Sequence, residues 1–319
     1  MKSALLVAIA AALTMGQTAR PDNAHSLARV EAAKKLAGGD VWLQGPFNFY
    51  CVAGKARPND TKAPALEPAK LFDNLYVVGN SEATVHAIVT SQGIILIDSG
   101  YADRVEPEVV EGLKKVGLDP ANVKYVLVGH GHGDHFGGAS FFQEHYGARV
   151  GLSAADWDLM YPANPAPGRG NANQVKPKRD LVLAEGQPLT LGDTTVSFVA
   201  IPGHTPGSLA FIFPVKDGKR RHVAGLFGGT ILTVDRITTP GLQQYVQSIA
   251  HYLDVAKRMK VDVEVQNHPL FDMTPERLAA LKTRKAGDPN PFLVGNGRYL
   301  KFWRIVSECM DAEIARREG

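Results

Sequence analysis

From Leu71 onward the chain alternates short apolar runs with glycine, asparagine and serine punctuation. "NLYVVGN", "TVHAIVTS" and "GIILIDSG" are β-branched runs of this kind and predict a strand meander. "RVEPEVVEGLKKVG" (Arg104 to Gly117) instead repeats its apolar positions at helical spacing and stops on a glycine. "KYVLVGH" and "ARVGLS" return to strand character, with "GASFFQEHYG" between them as a helix closed by Gly147. The next segment begins helically at "DWDLM" and becomes a long loop rich in glycine, proline and asparagine. Loops of that length inside a domain tend to be functional. Strands resume in "LVLAEGQPLTLGDTTVSFVAIPGH", "LAFIFPV" and "HVAGLFGGT". "GLQQYVQSIAHYLDVAKRM" predicts a helix and "VDVEVQNHP" a last strand. "TPERLAALKTRKAG" predicts a helix with Thr274 as N-cap and Pro275 in its first turn, and "GRYLKFWRIVSECMDAEIARRE" a closing helix. Strands followed by helices in each half predict an α/β architecture, two mixed sheets packed face to face with helices outside.

The first residues, "MKSALLVAIAAALTMGQTA", have the grammar of a signal peptide, with an apolar run short for a membrane span; an uncleaved anchor is the alternative. Cleavage is expected near Ala19 or Ala24. Residues 1–24 therefore read as a leader, 25–70 as a helix plus a proline-rich surface arm, and 71–319 as the main domain. Export implies an oxidising compartment. There Cys51 and Cys309 form one disulfide or stay as two buried thiols, and sequence separation does not decide between them. The formal charge of +3, from 35 basic and 32 acidic residues, exerts no strong pull toward nucleic acid or an anionic membrane. Two basic clusters occur, "KPKRD" and "KDGKRRH"; the second reads as a solvated turn between apolar runs in preference to a phosphate patch.

Five of the 10 histidines change this picture. His130, His132 and His135, with Asp134, follow "KYVLVG"; His204 follows "VSFVAIPG"; His268 follows "VDVEVQN". Ligands in α/β proteins gather outside the carboxyl ends of strands, so three strands deliver imidazoles to one edge if they are neighbours. Neutral imidazole and carboxylate are zinc ligands, and ligand type favours zinc over iron or manganese. His130 and His132, two apart in an extended stretch, can grip one ion; Asp134 and His135 leave on another heading, toward a second. His25, His145, His222 and His251 lack a partner pattern. His86, inside a strand, points either into the pocket or into the core.

In order, "IDSG", "HGHGDH", "PGHTPGS" and "NHP" resemble the metallo-β-lactamase superfamily over roughly Leu71 to Leu281. The resemblance implies an αββα four-layer sandwich with a metal site along one edge. It implies two Zn2+ ions, the first held by His130, His132 and His204 and the second by Asp134, His135 and His268. Asp134 would also orient the attacking water or shuttle its proton. Asp98 would orient a ligand from behind rather than touch metal; otherwise it caps a loop. Much of the superfamily has a bridging aspartate in a "GDT" segment, and the B1 and B2 lactamases a cysteine; the matching "FGGTIL" has Gly229. The ligand set without a bridge is similar to that of subclass B3. It implies an exported, periplasmic or secreted hydrolase of β-lactam amides, with a small-molecule substrate, no nucleic acid and no membrane partner after leader removal. Subclass B3 members engage the substrate carboxylate with serines just after this strand, where this chain offers only the hydroxyl of Thr230. Trp157 and Tyr161 are expected, by position, to wall the groove. The alternatives are a lactone or ester hydrolase, such as an acyl-homoserine lactonase, and a non-catalytic exported zinc-binding protein. Thioester hydrolysis of the glyoxalase kind is disfavoured by the missing bridging acid.

Overall fold

The computed structural model describes residues 20–53, 63–162, 175–270 and 272–319. Most of the expected leader, the middle of the proline-rich arm and nearly all of the loop between Tyr161 and Val175 lie outside those residues.

One sheet holds β1 (Ala69–Phe72), β2 (Leu75–Gly79), β3 (Thr84–Thr90), β4 (Gly93–Ile97), β5 (Val123–Leu127), β6 (Arg149–Ser153) and β7 (Leu181–Leu183), in that spatial order. Pairing is antiparallel from β1 to β4 and parallel from β4 to β7. The other holds β8 (Leu189–Leu191), β9 (Thr194–Ala200), β10 (Leu209–Asp217), β11 (Arg220–Phe227) and β12 (Val263–Val265), in the order β12-β11-β10-β9-β8. Only β11 and β12 pair in parallel there.

Period-two alternation divides each strand between two layers of core. Ile95 and Ile97 of β4 face Phe211 and Phe213 of β10 in the core between the sheets. Ile94 and Leu96 point the other way, toward Val109, Leu113 and Phe142. Ala210 and Ile212 of β10 point away from the first sheet, toward Tyr245, Tyr252 and Trp303. The helices supply the outer layers: α1 (Ala24–Ala37), α2 (Val41–Phe47), α3 (Glu111–Lys115), α4 (Gly133–Phe136), α5 (Ala139–Tyr146), α6 (Ala154–Met160), α7 (Thr239–Arg258), α8 (Thr274–Thr283) and α9 (Asn296–Glu318). α3, α5 and α6 cover the first sheet, and α1, α2, α7 and α9 the second. The result is the αββα sandwich.

The two ends of the described chain lie together. α1 packs along α9, Asn23 donates from Nδ2 to Ala315 O at 2.7 Å, and Cys51 is disulfide-bonded to Cys309. The question left open by the cysteine spacing is answered by packing: α9 returns to the N-terminal helices and brings the two Cα atoms to 5.0 Å.

The start of α8 departs from expectation. Thr274 is its first residue and Met273 precedes it at φ 59°, so Thr274 is not the N-cap. The cause is Asp272, which accepts from Thr274 N–H at 3.0 Å and from its hydroxyl at 2.7 Å. Asp272 is fully buried beside Arg277, whose Nη1 also meets Glu264 at 2.6 Å. Burial and the neighbouring Asp272 raise Glu264 to about 8, against the pull of Arg277. The folded protein thus keeps a proton that the unfolded chain loses above 4.5. Stability is expected to fall as pH rises from there through about 8, by up to about 1.4 kcal/mol per pH unit. Urea unfolding of the parent and of Glu264→Gln at several pH values checks this; the variant is expected to lose the slope.

Candidate metal centre

β4, β5 and β6 of the first sheet, and β9, β11 and β12 of the second, all end at the same edge of the sandwich. The turn after β5 carries His130 to His135, the turn after β9 carries His204, and the turn after β12 carries His268. These strands are not sheet neighbours, since β5 belongs to the first sheet and β10 and β11 stand between β9 and β12 in the second; the turns nevertheless meet across the edge of the sandwich. His130, His132 and His204 form one cluster of ligand atoms, and Asp134, His135 and His268 a second.

In the first cluster His130 Nε2 lies 3.1 Å from His132 Nδ1, and His204 Nε2 lies 3.0 Å and 3.1 Å from those two atoms. In the second, His135 Nε2 lies 3.0 Å from His268 Nε2, and Asp134 Oδ2 lies 3.4 Å and 3.8 Å from them. Such spacings suit adjacent ligands around one ion with bonds of about 2.0–2.1 Å. Two of the far nitrogens face carbonyls. His130 Nδ1 faces Gly228 O at 2.6 Å and His268 Nδ1 faces Glu82 O at 2.6 Å. A carbonyl only accepts, so each Nδ1 carries the proton and each Nε2 presents a bare lone pair to its cluster. Lone pairs converging at 3.0–3.1 Å repel one another unless a cation lies among them. The donor set therefore fits metal ions.

Electrostatics agree. Burial, reinforced by neighbouring imidazoles, holds His130 and His204 well below the ordinary histidine range, and burial also lowers His132. Burial and His135 lower His268 to about 4. These four stay neutral at neutral pH, the state that binds metal. Burial opposes a charge on His135 too, but Asp134 and Asp98 outweigh it and hold it at about 10. Burial pushes Asp134 upward, yet the imidazoles around it, His135 foremost, keep it well below the usual carboxylate range. His130, Asp134, His135 and His268 are buried, whereas His132 and His204 are partly exposed, so the first cluster faces the way in.

Asp98 sits behind the second cluster. Its Oδ2 faces His135 Nδ1 at 2.8 Å and its Oδ1 accepts from Gly129 N–H at 2.7 Å. It does so at φ 61°, a strained value for a residue with a Cβ. Asn267, next to His268 and passed over in the sequence, adds a third bond, donating from Nδ2 to Asp98 Oδ2 at 3.1 Å. Asp98→Asn is expected to weaken zinc binding by the second cluster about 10–100-fold, measured by competition with a chromophoric chelator.

Comparison with known proteins matches this geometry to a family. The metallo-beta-lactamase superfamily model covers residues 79–217. BJP-1, a subclass B3 metallo-beta-lactamase of Bradyrhizobium japonicum, is 31% identical with a TM-score of 0.66, over 80% of this chain and 96% of that one. This chain belongs to the metallo-beta-lactamase superfamily. Its site has the architecture of a metal-dependent hydrolase. The metallo-beta-lactamase GOB-18 from Elizabethkingia meningoseptica is 25% identical, with a TM-score of 0.60 over 83% of this chain and 96% of that one. A hydroxyacylglutathione hydrolase of Acidiphilium cryptum (strain JF-5) is 28% identical over 120 residues, 37% of this chain and 43% of that protein. The chain thus spans less than half the length of that curated relative.

Three expectations about the superfamily site need correction. Trp157 does not wall a groove: it is fully buried among Val126, Phe142 and Leu152, with its indole N–H on Leu181 O at 2.7 Å. Tyr161 is exposed, but its hydroxyl turns to Pro177 O at 2.6 Å and its ring stacks on Trp157, away from both clusters. Thr230 is fully buried, and its hydroxyl points back to Phe227 O and Gln266 Oε1. His86 lies in the core: on β3 it pairs with Val77 and Ile97, and burial lowers it to about 4. At Gly229 a Cβ would come within 2.8 Å of Ser208 Cβ, so the missing bridging carboxylate has no room on this backbone.

Proposed function

We propose that this chain is an exported dinuclear zinc hydrolase that opens the amide bond of β-lactams in the manner of subclass B3 enzymes. One observation carries the reading: two complete three-ligand clusters stand side by side, while position 229 is a glycine with no space for a bridging acid. Bound there, zinc would supply Lewis acidity that polarises a carbonyl and acidifies a water. The chain's own residues do the rest. Five imidazoles aim nitrogens at the clusters, and Asp98 with the Gly228 and Glu82 carbonyls fixes which nitrogen His135, His130 and His268 offer. Asp134 remains an anion at neutral pH and is placed to orient a water and take its proton. The partly exposed His132 and His204 leave the entry to a small-molecule substrate on the first cluster's side. The Cys51–Cys309 disulfide supports export, because reducing compartments keep thiols apart, and the apolar start of the sequence supports a leader.

The curated relatives favour a second reading, thioester hydrolysis of a hydroxyacylglutathione. The solved subclass B3 structure matches 80% of this chain, against 37% for the Acidiphilium relative, which weighs toward the lactam. Zinc-loaded protein assayed against nitrocefin, a penam, a carbapenem, an acyl-homoserine lactone and a hydroxyacylglutathione thioester decides the matter. Turnover of the lactams above the other classes is the expected result; turnover of the thioester alone transfers the assignment to the second reading.

A further inference from the structure

Asp156, at the start of α6, is a buried carboxylate outside both ligand clusters. Its Oδ2 accepts from Gly131 N–H at 2.8 Å and from the Thr205 hydroxyl at 2.6 Å. Its Oδ1 accepts from Gly207 N–H at 2.8 Å. Gly131 stands between His130 and His132, and Thr205 follows His204. One side chain therefore ties together the two loops that bring the first cluster's three histidines from opposite sheets. The docking is close: a Cβ on Gly207 would fall 2.8 Å from Asp156 Oδ1 and nearer still to Ser153 Oγ. Ser208 completes the arrangement, its Oγ 2.6 Å from Thr205 Oγ1 and accepting from Thr205 N–H at 3.2 Å. With Thr205 donating to Asp156, Ser208 donates to Thr205, and both hydroxyl protons have a destination.

We infer that Asp156 is the positioning residue of the first metal cluster, as Asp98 is of the second. The inference rests on the metal-centre reading but not on the substrate. The division of labour is visible in the partners. Asp98 holds His135 directly and Asn267 beside His268, and reaches the first cluster only through Gly129 N–H ahead of His130. Asp156 holds the backbone between His130 and His132 and the residue after His204. Asparagine cannot replace it: whichever way the amide is turned, its NH2 meets a backbone N–H, that of Gly131 or that of Gly207. One loop must then move away, and the three nitrogens at 3.0–3.1 Å lose their common focus.

Two backgrounds separate this role from general destabilisation. His268→Ala leaves only the first cluster intact, and His204→Ala leaves only the second. Asp156→Asn, introduced into each, is expected to weaken zinc binding about 10–100-fold in the first background and to leave it unchanged in the second, by competition with a chromophoric chelator. Thr205→Val is expected to give a smaller loss with the same selectivity, and Thr205→Ser to restore the parent affinity; this pair decides the question if Asp156→Asn does not fold. Equal weakening in both backgrounds, or none in the first, overturns the role. Failure of the His268→Ala parent to bind zinc at all overturns the metal-centre reading together with it, and is recognisable because it appears before Asp156 is changed.

Discussion

Asp134→Ala is expected to lower kcat by about 10²–10⁴-fold and, on the proposed dinuclear reading, to cut bound zinc toward one ion per chain. Asp134 is the only carboxylate in either cluster, within 3.4 Å of His135 Nε2 and 3.8 Å of His268 Nε2. Its removal takes away the proposed ligand and the proposed proton acceptor together. The His130, His132 and His204 cluster shares no ligand with it and should keep its ion. Asp134→Asn separates the two losses: the amide oxygen can still coordinate but the group cannot accept a proton. That variant should retain more metal than the alanine form while kcat falls nearly as far. Metal analysis beside steady-state kinetics reads both, and a variant that keeps kcat with one ion lost would remove Asp134 from the chemistry.

The Cys51→Ser, Cys309→Ser double variant is expected to lose about 2–4 kcal/mol of stability. The bridge spans 258 residues of sequence, so it restrains nearly the whole described chain in the unfolded state. Ion pairs between the same elements, Arg316 with Asp22, Arg298 with Asp40 and Arg29 with Glu308, are mostly exposed and contribute little each. Urea midpoints of the oxidised parent, the reduced parent and the double variant measure the effect. The reduced parent should coincide with the variant, and neither should lose turnover at low temperature, because neither cysteine belongs to a ligand cluster.

What the sequence disclosed and what it withheld follow from the range of each interaction. The histidines were legible because each follows an apolar run, and strand ends collect at one edge of such folds. Asp98 was legible for the same reason. Asp156 was not, although it too comes just after a strand, because its meaning lies in Gly131 and Gly207 arriving from two other loops. Trp157 and Thr230 show the converse failure. Position near a strand end suggested substrate contact, but a short helix can turn either face inward, and a hydroxyl can be consumed by its own turn. The cysteines were undecidable until α9 was seen to run back along α1.

At both clusters the donors are split two to one between the sheets: His130 and His132 against His204, Asp134 and His135 against His268. A cation held in either place is therefore a rivet through the sandwich as well as a reagent. A change that slides one sheet past the other by about an ångström would spoil both sites at once. Conversely, stripping the metal should unzip that rim before any other part of the molecule.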